Sequence, residues 1–270
     1  MRYMYILIVT LLLVLGFLFS VRGRVGHKGL SELKKWHYAH RGLHKQGVPE
    51  NSLAAFCAAK DASYGMELDV HLLKDGNLAV IHDSSLKRTA GADIMIEELT
   101  ASELETYRLE GTEEPIPLFS QVLSLIDGKV PLIVELKSTK GNYVQLCEIT
   151  CDMLESYHGP YCIESFDPRC VFWLKKHRPN VIRGQLTMDF FRSNSKIPAP
   201  MKFILKHQLY NFISKPDFIA YRYSDRNTLS NFVCRKFWHM QGVSWTIRNH
   251  EDFDTAVKEG WIPIFENFKP

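Results

Sequence analysis

The chain has little net charge for its length and lacks any dense run of lysine or arginine. Its 33 Lys and Arg residues against 30 Asp and Glu leave a formal charge of +3 over 270 residues. Proteins that follow a nucleic-acid groove concentrate basic residues on one face. A nucleic acid is therefore excluded as the expected partner. Internal repeats and low-complexity segments are absent too, and 46% hydrophobic content suffices for the core of one large domain.

Several motifs that are typical of a particular enzymatic or binding function are also absent. The chain has no glycine-rich phosphate loop, no ordered Ser-His-Asp signature and no CxxC pair. These absences remove the usual signals of nucleotide binding, serine hydrolysis and zinc-finger sites. The six cysteines are scattered, at positions 57, 147, 151, 162, 170 and 234. We expect reduced thiols, with Cys147 and Cys151 on one helix face.

The one long apolar run lies at the N-terminus. Tyr3 to Val21 is 19 residues without a charge, long enough for a helix that crosses a bilayer. A cleaved signal peptide is the alternative, but the run is long for one and Val21-Arg22-Gly23 is a poor cleavage site. We expect an uncleaved single-pass anchor. The basic residues after it predict that the globular domain is cytoplasmic. The predicted division is an anchor with its basic linker over 1–28 and a globular domain over 29–270.

Strand and helix patterns alternate through the rest of the chain. Apolar runs typical of strands lie at 36–40, 65–71, 78–82, 131–136, 161–165, 181–186, 217–221, 242–247 and 261–265. Helical patterns lie at 51–63, 101–109, 117–127, 142–157, 168–177, 227–240 and 250–259. This alternation predicts an α/β fold of the (β/α)8 TIM barrel type.

Nine strand patterns are one too many for eight barrel positions. Asp75-Gly76, between the second and third patterns, is typical of a tight hairpin. The connection is too short for a parallel crossover, which needs a dozen or more residues. We therefore predict that 78–82 returns antiparallel beside 65–71, as a hairpin insertion after strand 2. The hairpin would place His82 opposite Asp69.

The connection over 187–216 is the longest without a clear assignment. It has five basic residues and one acid, namely Arg192, Lys196, Lys202, Lys206, Lys215 and Asp189. Four apolar residues share one helical face, namely Met201, Leu205, Leu209 and Phe212. Two interpretations stay open. The segment is either a helix that packs on the barrel or a basic lid that touches anionic lipid or covers the substrate.

Carboxylates recur on two of the predicted strands. Glu67 and Asp69 alternate with apolar residues, so both point to one face, which in a barrel is the interior near the C-terminal rim. Glu135 and Lys137 alternate in the same way on the next parallel strand. Like charges this close repel each other unless a cation lies between them. The three carboxylates therefore predict a site for Mg²⁺ or Ca²⁺, which prefer oxygen ligands.

Two histidines end predicted strands beside these acids. His40 closes the first strand and His82 closes the hairpin. In phosphodiester cleavage one imidazole can take a proton from the nucleophile while the other protonates the leaving alkoxide. Arg41 has the shape to hold phosphate oxygens in bidentate fashion, and Lys137 can face the developing anion. The pattern predicts a metal-assisted phosphodiester hydrolase.

Weaker signals leave alternatives open. Glu50 and Asn51 can bind the metal or orient a histidine, although Asn51 can instead cap the next helix. Trp245 can form a wall for the alcohol moiety or pack in the core. Asp83 either orients His82 or begins the following loop.

Taken in order, these residues resemble the glycerophosphodiester phosphodiesterase family. The matching motifs are His40-Arg41-Gly42, Pro49-Glu50-Asn51, Glu67-x-Asp69-Val70, Lys74-Asp75-Gly76, His82-Asp83, Arg88-Thr89, Glu135-x-Lys137, Ser165-Phe166 and Trp245-Thr246. The resemblance spans roughly residues 36–265, and the family's TIM barrel agrees with the strand count.

The resemblance implies metal-dependent hydrolysis of glycerophosphodiesters to glycerol 3-phosphate and an alcohol. By position it implies acid and base roles at His40 and His82, phosphate contacts from Arg41 and Lys137, and metal ligands at Glu67, Asp69 and Glu135. Some members are membrane-anchored and accept lysophospholipids. Alternatives are therefore a lysophospholipase D, a phospholipase C-type enzyme on the same barrel, or a catalytically silent lipid-binding barrel. The sequence predicts no oligomeric state.

Three positions depart from the family's pattern. Ser52 stands where threonine is usual, and Ala90 replaces the second threonine after Arg88-Thr89. Glu266-Asn267 occupies the place where Thr-Asp commonly ends the last strand. The contacts that the family makes at this last position should therefore differ here.

Overall fold

Eight parallel strands form a closed barrel in the computed structural model, which describes all 270 residues. The strands are β1 Tyr38–Ala39, β2 Gly65–Leu72, β3 Leu78–Val80, β4 Leu132–Leu136, β5 Tyr161–Ser165, β6 Arg183–Thr187, β7 Phe218–Arg222, β8 Gln241–Ile247 and β9 Trp261–Phe265. Their order is β1-β9-β8-β7-β6-β5-β4-β2, and β1 also pairs with β2 to close the ring. The predicted TIM barrel is confirmed.

The ninth strand is the predicted hairpin. β3 pairs antiparallel with β2, with Val70 opposite Val80 and Leu72 opposite Leu78. Gly76 closes the turn at a φ of +87°, a conformation that L side chains rarely adopt. The turn chemistry of Asp75-Gly76 therefore produces the hairpin and removes the extra strand from the barrel.

Helices connect the parallel strands and cover the barrel. Those of eight residues or more are α1 Arg2–Ser20, α2 Leu53–Asp61, α3 Phe119–Ile126, α4 Tyr143–Glu155, α5 Pro168–His177, α6 Ala199–Lys206 and α7 His250–Lys258. Shorter α-helices are Leu30–Leu33, Lys87–Ala90, Ala101–Leu104, Asn211–Ser214 and Leu229–Phe232, the last of which continues as a π-helix over Val233–Phe237. Single 3₁₀ turns are Ile96–Glu98, Phe190–Arg192 and Tyr223–Asp225.

One helical prediction was wrong in extent, and the unassigned segment over 187–216 is only partly helical. The helix predicted over 101–109 ends at Leu104, because Leu104 and Leu109 both pack into the apolar cluster beneath the hairpin. A continuous helix would place residues five apart on different faces. The helical face predicted within 187–216 is interrupted at Gln208, whose φ is +56°. Before the break, α6 packs on the barrel, with Thr187 Oγ1 donating to the Leu205 carbonyl at 2.9 Å.

The interior of the barrel is apolar towards its N-terminal end and polar at its C-terminal end. Leu68 and Val70 point outward into the layer between strands and helices, as their alternation with acids predicts. Leu30, Leu33 and Phe218 close the N-terminal end of the barrel from inside. Inward-facing polar side chains therefore gather at the C-terminal rim, where (β/α)8 barrels carry their active sites.

Candidate active site

Three carboxylates from two paired strands meet at the C-terminal rim. Asp69 and Glu135 are register partners on β2 and β4, and Glu67 lies two residues earlier on the same face of β2. One oxygen from each carboxylate lies within 4.8 Å of the others, and all three residues are buried. The strand pairing thus brings together the three acids that the alternation placed on the inner face.

Burial and neighbouring charges shift the pKa values of the three carboxylates in different directions. Burial, followed by the charges of Asp69 and Glu135, raises the pKa of Glu67 well above its usual range. Burial likewise raises the pKa of Glu135 to about 7. Burial also acts to raise the pKa of Asp69, but the Lys137 ammonium, His82, the Arg41 guanidinium and the hydrogen bond from Asn51 together outweigh it, so that this pKa lies well below its usual value. Lys137 Nζ lies 2.7 Å from Glu135 Oε1 and 3.0 Å from Asp69 Oδ1.

These residues fit a divalent cation. The donors are carboxylate oxygens only, which is the set that Mg²⁺ and Ca²⁺ prefer. Two cationic side chains contact these acids, Lys137 at Asp69 and Glu135, and Arg41 at Asp69. A divalent cation between the acids would relieve the repulsion that adds to burial in raising the pKa values of Glu67 and Glu135. Asn51 Nδ2 donates to Asp69 Oδ2 at 2.8 Å and so fixes that carboxylate. The amide therefore orients an acid of the cluster, while Ser52 caps α2 by accepting from the Ala55 amide.

Two histidines line the same cavity. His40 follows β1, with Nε2 3.9 Å from Glu67 Oε2, and His82 follows the hairpin. Both line one cavity together with Arg41, Glu67 and Trp245. Burial lowers the pKa of His40, and it lowers the pKa of His82 to about 4, so both imidazoles are neutral at pH 7. His82 Nδ1 lies 2.6 Å from Asp83 Oδ1, which orients the ring.

Arg41 is held in place by its surroundings. Its backbone N–H donates to Glu67 Oε2 at 3.1 Å, and its side chain donates from Nη1 to Glu50 Oε1 at 2.9 Å. Glu50 also accepts from Arg88 at 2.6 Å, so it contacts two guanidinium groups and neither histidine. Arg41 and Asn51 have φ angles of 54° and 55°, uncommon for residues with a Cβ. Such conformations concentrate at functional sites, where surrounding contacts hold them.

Aromatic side chains form one wall of the cavity. Trp245 packs edge-to-face on Phe166 with ring centroids 5.6 Å apart, and Phe166 in turn packs on Phe190. Trp245 Nε1 is buried without a hydrogen-bond partner. Trp245 therefore combines both predicted environments. It packs against aromatic neighbours, and it also lines the cavity.

The sequence analysis missed three residues of this site. Glu164 on β5 is buried beside Glu135, its register partner, and burial raises its pKa well above its usual range. The other two are His44 and Glu266, and the sequence marked Glu266 only as a departure from the family's pattern. Glu266 Oε1 lies 3.5 Å from His40 Nδ1 and 3.3 Å from His44 Nε2, and Oε2 lies 2.7 Å from Arg248 Nη2. The alternation along β5 could have revealed Glu164, whereas no local pattern marks the other two.

A parallel barrel with acids, neutral imidazoles and cations at its C-terminal rim defines a class of enzyme, the phosphoric diester hydrolases. The chain belongs to the glycerophosphoryl diester phosphodiesterase family, whose family model matches residues 40–268. Its reaction is the hydrolysis of glycerophosphodiesters to glycerol 3-phosphate and an alcohol. The resemblance drawn from the sequence motifs is confirmed.

Individual relatives agree with this assignment. The chain is 32% identical over 163 residues to a glycerophosphodiester phosphodiesterase of Bacillus altitudinis, which covers 56% of this chain and 66% of that protein. It is 29% identical to a glycerophosphodiester phosphodiesterase of Caldanaerobacter subterraneus, with 82% of this chain and 89% of that protein covered. Its fold resembles that of an Oleispira antarctica phosphodiesterase solved with the product sn-glycerol-3-phosphate, at a TM-score of 0.70, 21% identity and coverage of 86% and 92%.

Proposed function

We propose that Glu67, Asp69 and Glu135 hold a divalent cation, Mg²⁺ or Ca²⁺, and that His40 and His82 are the acid and base of the hydrolysis. The observation that carries this proposal is the convergence of three buried carboxylates and two neutral imidazoles on one cavity. When bound, the cation would act as a Lewis acid toward the phosphate oxygens.

The two imidazoles divide the proton transfers between them. One takes the proton of the attacking nucleophile, either water or the 2-hydroxyl of the glycerol, and the other gives a proton to the leaving alkoxide. Because both are neutral without substrate, one of them must first gain a proton. The negative charge of a bound phosphodiester favours the imidazolium form of a nearby histidine. Asp83 and Glu266 face the Nδ1 atoms, which leaves both Nε2 atoms for the substrate.

Two cations serve the phosphate in this proposal. Arg41, fixed by Glu50, presents a planar guanidinium that suits two phosphate oxygens. Lys137, directly after β4, provides a point charge toward the developing anion. The wall of Trp245 and Phe166 lies against the organic part of the diester. Burial raises the pKa of Glu164 well above its usual range, which favours its neutral form beside the cluster.

Chelation tests the metal assignment. We expect a chelator to abolish release of glycerol 3-phosphate from glycerophosphocholine, and excess Mg²⁺ or Ca²⁺ to restore it, because the three carboxylates alone repel an anionic diester. The measurement is an enzymatic assay of glycerol 3-phosphate. Turnover that is indifferent to chelation would contradict the metal assignment, and the absence of turnover under every condition would favour a silent lipid-binding barrel.

Glu266 offers a second test, since it is the nearest carboxylate to His40 Nδ1. We expect Glu266→Gln to lower kcat about tenfold with little change in KM, because His40 loses the carboxylate charge 3.5 Å from its Nδ1, while the reacting nitrogen remains. The matched control is Arg248→Gln, which removes a different partner of the same carboxylate, an arginine whose side chain is 58% exposed. Equal kcat in the two variants would show that Glu266 does not position His40.

We also propose that residues 1–28 anchor the chain in a membrane and that 29–270 form the catalytic domain on the cytoplasmic side. Helix α1 is 19 residues long with a mean hydropathy of 2.4, and no part of that window is buried. A signal sequence would share these properties. The six cysteines are free, five of them buried, which suits a reducing compartment.

A reporter fused to the C-terminus tests this orientation. We expect a fluorescent or enzymatic reporter that works only in the cytoplasm to be active, and the fusion to stay with the membrane fraction at its full length. Activity of a reporter that works only outside the cytoplasm would reverse the placement, and loss of the first residues from the mature chain would identify a signal peptide.

A further inference from the structure

The last turn of α1 is attached to the end of the barrel opposite the active site. The Gly23 amide donates to Met240 Sδ at 3.3 Å, and the Arg24 amide donates to the Pro216 carbonyl at 2.8 Å. Pro216 and Met240 lie just before β7 and β8, at the N-terminal ends of these strands. The Arg24 guanidinium also donates to buried Asp217 at 2.6 Å. The chain therefore joins α1 to the barrel at its N-terminal end.

The direction in which α1 leaves is given by its contacts with the helix over 229–237. Cys234 Sγ donates to the Val21 carbonyl at 3.3 Å, and Trp238 Nε1 donates to the Leu18 carbonyl at 2.9 Å. This helix runs from the C-terminal end of β7 to the N-terminal end of β8, so Trp238 is nearer the N-terminal end than Cys234. Going back from Val21 to Leu18, α1 therefore moves away from the active site. Residues 1–16 beyond this point are exposed.

Exposed apolar and basic side chains surround this exit. Phe172, Ile213 and Phe237 are 42%, 46% and 54% exposed. Three basic side chains lie among them. Arg22 lies over the Trp238 ring, Lys215 donates to the Arg22 carbonyl, and Lys175 donates to the Ile213 carbonyl. We call these six residues the collar, defined as Phe172, Ile213, Phe237, Arg22, Lys175 and Lys215.

We infer that the collar rests on a lipid bilayer with anionic headgroups, and that the opening of the active site is turned away from this bilayer. Apolar and aromatic side chains beside basic ones are the composition that settles at the headgroup level of a membrane. The collar surrounds the point at which the apolar α1 leaves the barrel, so it lies where the surface of a bilayer spanned by α1 would be. This inference rests on the anchor role proposed above for α1.

The orientation determines where the substrate comes from. The strands separate the collar from the carboxylate cluster by on the order of 15 Å, since five residues rise about 3.3 Å each. A lipid held in the same bilayer would have to leave it to reach His40 and His82. The site therefore receives diesters dissolved in water, and the membrane holds the enzyme without supplying its substrate.

Lipid-borne quenching of fluorescent labels tests this inference on the full chain. Single labels are placed at Ile213→Cys or Phe237→Cys, and at Lys140→Cys beyond β4 at the active-site end, each with Cys57→Ala, since the other five thiols are buried. The protein is reconstituted in phosphatidylcholine vesicles with about 30% phosphatidylglycerol and a headgroup-level quencher. We expect about twofold or stronger quenching at 213 and 237 and none at 140. Equal quenching at both ends, or quenching at 140 alone, would overturn the orientation.

Charge reversal tests the role of the basic residues. Lys175, Lys215 and the neighbouring exposed Lys236 are changed together to Glu, and the matched control reverses Lys45, Lys74 and Lys87, all exposed beyond the C-terminal ends of the strands. We expect only the collar variant to lose the quenching at position 213. Retained quenching would contradict the role of the anionic headgroups.

Activity in detergent, measured on the same proteins with glycerophosphocholine, separates the two proposals. Full activity without differential quenching would overturn the orientation and leave the proposed hydrolysis intact. Differential quenching without activity would support the orientation and contradict the proposed hydrolysis.

Discussion

An Asp69→Asn variant is expected to lose about a thousandfold or more of the turnover of glycerophosphocholine while it keeps its fold. Asp69 lies at the centre of the carboxylate cluster, where Asn51, Arg41 and Lys137 all contact it. Neutralising it removes one of three anionic donors to the cation and frees the side chain of Lys137. A loss of about 4 kcal/mol of transition-state stabilisation corresponds to this factor, at about 1.4 kcal/mol for each tenfold change.

The measurement combines kcat and KM with a thermal melt and a calorimetric titration with Mg²⁺ or Ca²⁺. We expect the affinity for the cation to fall together with kcat, because the loss of one anionic ligand lowers both. Asp254→Asn is the matched control, since Asp254 is an exposed carboxylate on α7 that does not contact the carboxylate cluster. Near-native turnover with unchanged metal affinity in Asp69→Asn would show that the cluster does not hold the cation.

His82→Ala should lower kcat by about a hundredfold to ten-thousandfold, the usual contribution of one positioned acid or base. KM should change little, because Arg41 and Lys137 would still bind the phosphate. The His82 side chain is 33% exposed, so the substitution leaves only a small gap in the packing. His40→Ala should behave in the same way, although its ring is more deeply buried.

Imidazole in the buffer should restore part of the activity of His82→Ala, since it can occupy the vacated space and carry the proton. His158→Ala, at an exposed position outside the site, is the control for loss of a histidine. If His82→Ala turned over at the wild-type rate and melted normally, His82 would have no part in proton transfer.

The fold follows from local signals that agree with one another. The alternating strand and helix patterns gave eight parallel strands once Asp75-Gly76 had assigned 78–82 to a hairpin, and the closed ring bears this out. Helix extents were less predictable, because tertiary packing decides them. Leu104 and Leu109 share one cluster and so end the helix between them, and Gln208 interrupts the basic segment before Asn211–Ser214.

Some residues of the site could likewise be predicted from the local sequence pattern, whereas others are brought together only by tertiary contacts. Glu67, Asp69 and Glu135 could be placed on the inner face from the period of two residues along a strand, and the same period marks Glu164. The contact of His44 and Glu266 has no such signal, since the two residues lie near opposite ends of the domain. Only the pairing of β1 with β9 brings them together beside His40.

The central claim is that one divalent cation lies between the carboxylates of β2 and β4. Anomalous diffraction from crystals grown with Mn²⁺, an oxygen-seeking substitute for Mg²⁺, tests it most directly. The expected result is one strong peak within bonding distance of Glu67, Asp69 and Glu135. A peak only among His40, His44 and Glu266, the other group of side chains close enough to bind an ion, or no peak at all, would contradict it.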